Sequence, residues 1–94
     1  MVVFVEHRYY GVSMPFGNDT FAANKTANLQ FLTAEQALAD YAEFIMWLKQ
    51  QYSCPNAPVI AFGGSYGGML AAWFRIKSVK SRALIWHDAL LVST

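Results

Sequence analysis

Charge is scarce in this chain. Only 14% of its residues are charged, and Lys plus Arg outnumber Asp plus Glu by 7 to 6. So small an excess leaves no electrostatic footprint for nucleic acid, and Lys77, Lys80 and Arg82 are too few to make one. Cysteine occurs once, at Cys54. A disulfide framework within the chain is therefore excluded, and the thiol reads as a buried free group or one whose partner lies in other sequence. No apolar run reaches the roughly 18 to 20 residues that a membrane-spanning helix needs. Met1 leads directly into "VVFVE", without a basic region or a small-residue cleavage site, so no signal peptide is expected. His7 and His87 lack companions at ligand spacing, so no metal is expected. Gly64, Gly67 and Gly68 lack the Lys-Ser/Thr pair of a phosphate loop, and no cofactor is implied.

Apolar residues are abundant instead. The 94 residues are 55% hydrophobic and 16% aromatic, which is more apolar area than a small free-standing domain can hide. Since no membrane span is present, the composition points to a piece of a larger core, with no room for a second domain.

Along the chain, Val2 to Glu6 is a β-branched, aromatic-containing run without alternation, as in a strand buried on both faces of a parallel sheet. From His7 to Leu32, Gly11, Pro15, Gly17 and several Asn residues mark a long surface loop. It contains Asn18-Asp19-Thr20 and Asn24-Lys25-Thr26, two N-glycosylation acceptor triplets at Asn18 and Asn24; plain polar loop residues are the alternative reading. Thr33 with Gln36 fits a capping box. Ala34, Ala37, Leu38, Tyr41, Ile45, Leu48 and Tyr52 then recur at helical spacing as one apolar stripe, with Glu35, Asp40, Glu43, Lys49 and Gln50 mostly off it. The helix should stop near Tyr52, because Cys54 precedes Pro55. Pro58 to Phe62 reads as a second buried strand, and Gly68 to Lys77 as a second helix. Strand, helix, strand, helix predicts an α/β fold with a parallel sheet and right-handed crossovers.

Between the second strand and the second helix lies "GGSYGG". Gly63-Gly64-Ser65-Tyr66-Gly67 fits G-x-S-x-G, placed at a strand-to-helix turn. A serine hydroxyl becomes a nucleophile only where a base can take its proton, and a sharp turn projects it there. Flanking glycines are expected because a Cβ would strike the neighbouring strand or helix. The helix N-terminus adds outward-pointing N–H groups and partial positive charge, and the Tyr66 N–H is the expected half of an oxyanion hole. The alternative is a glycine-rich turn that packs a helix closely on a sheet, with Ser65 incidental.

"VFVEHRYYGVSMPFG", "FLTAEQALADYAEFI" and "PVIAFGGSYGGMLAAWFRIK" resemble three successive blocks of the lysosomal Pro-X carboxypeptidase and dipeptidyl peptidase II family of serine peptidases. The resemblance runs from Val2 to Lys77 and leans toward the carboxypeptidase branch. It implies a partial α/β-hydrolase core, a Ser-Asp-His triad, peptide substrates cleaved next to proline, and a lysosomal or secreted, glycosylated protein. It maps Ser65 onto the nucleophile and Tyr66 onto the following amide donor. Met69, one helical turn beyond Ser65, either faces the substrate's proline ring or packs in the core. The triad Asp and His of such folds follow well after the serine. His87 and Asp88 are adjacent and in reverse order, so neither is assigned. Residues 78–94 depart from the family pattern as a divergent tail.

The resemblance also implies a strand before Val2 that would lie between the two strands kept here. Their spacing would then be about 10 Å, with an empty slot between them. The chain is thus expected to be a fragment whose catalysis is incomplete. Two other readings stay open: an esterase or lipase on the same core, and a non-catalytic truncated product. Oligomeric state is not legible in the sequence.

Overall fold

The computed structural model describes residues 1–77, and the chain divides into two compact units, Met1–Tyr41 and the residues from Ala42 onward. His87, Asp88 and the 78–94 tail lie outside the described residues. Two short 3₁₀ turns, Gly17–Asp19 and Thr26–Leu29, precede two α-helices, α1 (Ala34–Gln51) and α2 (Ser65–Lys77). Among the described residues no β-strand forms, so the expected parallel-sheet α/β fragment is not observed.

The physical reason lies in the two runs that were read as strands. Val2 is 68% exposed, Val3 40%, Phe4 90% and Val5 39%. Exposure thus alternates with a period of two, as extended backbone does. In the second run Ile60 and Phe62 are exposed while Val59 and Ala61 are half-buried, and Val59 carries a lone bridge. Both runs keep the residue types of strands, but among the described residues neither forms a ladder along its length. A strand is stabilised by its neighbour's hydrogen bonds and side chains, and no ladder partner for either run stands among the described residues.

Helix α1 forms where the periodicity places it. The Thr33 hydroxyl accepts the Gln36 backbone N–H at 3.1 Å, which is the N-cap half of the expected box. The reciprocal half is absent: the Gln36 side chain instead donates to Asp40 Oδ1 at 3.1 Å, and the Thr33 N–H goes to Phe31 O at 3.0 Å. Ala37 and Leu38 are buried, and Ala34, Tyr41, Ile45 and Leu48 are half-buried, so most of the stripe faces inward. Tyr52 falls beyond the helix and is exposed.

The stop is made by Ser53, not by Pro55. Ser53 is left-handed at φ 51. Its N–H reaches Gln50 O at 3.1 Å, and the Cys54 N–H reaches Lys49 O at 2.9 Å. This pair of bonds is a Schellman cap, which usually carries glycine.

In the first unit, Arg8 grips α1. Its Nε donates to Asp40 Oδ2 at 2.5 Å and its Nη2 to Asp40 Oδ1 at 2.6 Å. This bidentate pair raises the guanidinium pKa further above its ordinary value. The Phe31 ring lies 5.8 Å from the Arg8 Cζ. Tyr9 is buried, and its hydroxyl donates to Asn28 O at 2.7 Å. Asn18 and Asn24 are both exposed.

The two ends of α1 respond in opposite directions to substitution. Thr33→Ala should lower stability by about 1 kcal/mol through loss of the cap. Ser53→Gly should raise it by about 0.5–1 kcal/mol by removing the left-handed penalty. Urea midpoints followed by far-UV circular dichroism read both changes.

Candidate active site

Ser65 is the first residue of α2, exposed, and left-handed at φ 51. A non-glycine residue in that region stores roughly 1–2 kcal/mol, and such strain persists only where the surroundings impose it. Here the imposition is visible in the backbone. An ideal Cβ on Gly63 would stand 2.5 Å from the Gly67 carbonyl carbon and 2.6 Å from its oxygen. The first turn of α2 therefore folds directly over Gly63, and the chain turns sharply at Gly64 and Ser65. The Gly68 N–H then donates to Gly64 O at 3.2 Å, closing the first helical bond across the serine.

The expectation that every flanking glycine is sterically required needs correction. A Cβ on Gly64 or Gly67 would meet nothing within 4 Å among the described residues. Gly63, by contrast, stands against the backbone of Gly67 and Gly68. Gly68 is buried.

Electrostatically, α2 carries no acidic side chain in its first turn, and Arg75 and Lys77 occupy its last. The basic end complements the negative end of the helix dipole. The positive end, with the N–H groups of Ser65 and Tyr66, is left uncompensated by any carboxylate in that turn. A negative charge developing on a molecule at Ser65 would be stabilised there.

One face of α2 continues from the serine. Ser65 and Met69 are four residues apart, and Trp73 follows at the same step. Met69 is 44% exposed and Trp73 39%, so Met69 is not a core residue among the described ones. Trp73 was missed in the sequence, where it read only as part of an apolar helix. Its signal was the repeated spacing of four from the serine.

Among the described residues no three His, Cys, Asp or Glu side chains converge as a metal site, and no helix is long and apolar enough to cross a membrane. Cys54 is a half-buried free thiol.

A left-handed, exposed serine at a glycine corner opening a helix is the serine-to-helix half of the strand-to-helix turn on which serine hydrolases carry a nucleophile; the strand half does not form among the described residues. Residues 1–80 match the family model described as serine carboxypeptidase S28, and the chain belongs to that family of serine peptidases. It is 63% identical over 100 residues to the lysosomal Pro-X carboxypeptidase of Pongo abelii, covering 98% of this chain and 20% of the relative. The human lysosomal Pro-X carboxypeptidase is 62% identical over the same shares. The human thymus-specific serine protease is 41% identical over 78 residues, 82% of this chain and 14% of the relative. The chain thus spans about a fifth of the length of the lysosomal Pro-X relatives.

The corner makes a contrast that substitution can read. Gly63→Ala forces a methyl into backbone and should destabilise by about 2–3 kcal/mol. Gly67→Ala has space and improves helix propensity, so it should stabilise by up to about 1 kcal/mol. Opposite shifts in the urea midpoint, followed by tryptophan fluorescence, are the expected result.

Proposed function

We infer that this chain is the nucleophile-bearing segment of a Pro-X carboxypeptidase-like serine peptidase, with Ser65 as nucleophile. The observation that carries the reading is the left-handed, exposed Ser65 at the start of α2. In the reaction, a base removes the Ser65 proton as Oγ attacks the carbonyl carbon of the scissile peptide. The tetrahedral oxyanion accepts a hydrogen bond from the Tyr66 N–H, and collapse expels the C-terminal amine as the base returns the proton. Water then releases the acyl group by the same path. The base and its orienting carboxylate come from other sequence of the parent enzyme, so this segment alone is incomplete as a catalyst.

Met69 and Trp73 follow Ser65 on one exposed face of α2, and an apolar wall beside the nucleophile suits a proline ring. The names of the lysosomal Pro-X carboxypeptidase relatives support both the proline preference and a lysosomal site of action. Glycosylation at Asn18 and Asn24 fits that route through the secretory pathway, and both side chains are exposed.

Two experiments test the assignment. The 94-residue chain treated with a fluorophosphonate probe should remain unlabelled at Ser65; labelling there would place a base within it. Second, residues 1–77 are grafted in place of the matching segment of the human relative. The graft should release a C-terminal residue after proline, and Ser65→Ala within it should lower kcat on the order of 10⁴- to 10⁶-fold. An active Ser65→Ala graft would remove the nucleophile from this position.

Met69→Ala in the same graft should reduce the preference for proline over alanine roughly tenfold, the scale of one apolar contact in a pocket. An unchanged ratio of kcat/KM values would return Met69 to a packing role.

A further inference from the structure

The segment Glu6-His7-Arg8-Tyr9-Tyr10-Gly11 is closed on itself. The Glu6 carboxylate accepts the Ser13 backbone N–H at 2.8 Å through Oε2 and the Val12 N–H at 3.2 Å through Oε1. Gly11 explains how the carboxylate reaches them. An ideal Cβ at Gly11 would stand 1.7 Å from Glu6 Oε1 and 2.2 Å from its Cδ. The carboxylate therefore occupies the space that a side chain at position 11 would fill. Gly11 needs no left-handed backbone; the positive φ in this segment belongs to Tyr9, at 73.

Tyr9 is both strained and buried. Its N–H donates to Ser13 O at 3.0 Å, and the Tyr10 N–H to His7 O at 3.1 Å. Ser13 is thus tied twice, once to Tyr9 and once to Glu6, and the turn that seats Tyr9 shares its anchor with the carboxylate.

We propose that Glu6 is an acid-range latch: its ionised carboxylate closes the 6–13 loop and holds Tyr9 in its left-handed, buried position, and protonation opens the loop. A carboxylate accepts all these hydrogen bonds, whereas a carboxylic acid loses the charge that strengthens them and gains a proton that must be placed. Neither Ser65 nor a triad enters the latch, so its test is independent of the catalytic reading.

Among the described residues, the partners seen at the carboxylate are Gly11 and the Val12 and Ser13 donors, none of which titrates. His7, its sequence neighbour, places Nδ1 2.7 Å from Arg8 O. The Ser13 hydroxyl first, then the Ser13 and Val12 amides, hold the carboxyl below its ordinary value of 4.5. With the folded value depressed, the latch contributes fully above that ordinary value and is lost as pH falls through the lower, folded one. It stays closed in mildly acidic surroundings and opens only in stronger acid.

Nuclear magnetic resonance of the full 94-residue chain, titrated from pH 6 to pH 2.5, reads the latch directly. The Val12 and Ser13 amide shifts should move together with the Glu6 side-chain carboxyl carbon, at one midpoint below 4.5. Flat amide shifts, or a carboxyl midpoint at the ordinary value, would overturn the proposal in the unaltered chain. Glu6→Gln should abolish the amide titration. Gly11→Ala keeps the charge but expels the carboxylate, so the Glu6 midpoint should return to its ordinary value and the amides should stop titrating. Amides that still titrate in either variant would assign the effect to another group, and the Gly11→Ala result decides even if Glu6→Gln does not fold.

Discussion

The backbone of Gly67 lies over Gly63 so closely that no side chain fits between them. That contact forces the reversal at Gly64, sets Ser65 left-handed, and starts α2 at the serine instead of a turn later. Exposure of Ser65, a helix N-terminus with no acidic residue in its first turn, and the face that carries Met69 and Trp73 follow from where the helix begins. A helix starting at Gly68, as periodicity alone suggests, would have left Ser65 in a loop without a dipole behind it.

The first unit is organised by polar anchors, although its composition is apolar. Arg8 is fixed to Asp40 through two parallel hydrogen bonds, Tyr9 to Asn28 through its hydroxyl, and Glu6 to the backbone of its own loop. Each anchor spends a directional group on main chain or on a partner of matched geometry. That is how a segment without a sheet holds a definite shape: directional bonds substitute for the ladder that Val2–Glu6 does not form.

The missing sheet shows the limit of local patterning. Val2, Phe4, Ile60 and Phe62 are good strand residues, and they are among the most exposed apolar side chains of the described residues. Strand propensity reports how well a residue fits a pleated, half-buried surface, not whether a neighbouring surface exists. The helices were legible because their hydrogen bonds close within four residues. The stop near Tyr52 is legible from Cys54-Pro55, but the Ser53 cap that makes it is not, because it carries none of the glycine that usually announces a left-handed cap. The bond between Gln36 and Asp40 escaped notice because a capping-box partner and an i, i+4 partner compete for the same amide.

By itself the sequence determined the two helices, the Thr33 cap, the family and the candidate nucleophile, since each rests on residue types at fixed short spacings. The tertiary structure alone decided that no strand forms among the described residues, that Gly63 and not Gly64 or Gly67 is a tight position, that Trp73 joins the face of Ser65, and that Glu6 reaches around Gly11. Those depend on which atoms occupy the space beside a residue, and chain distance does not encode that.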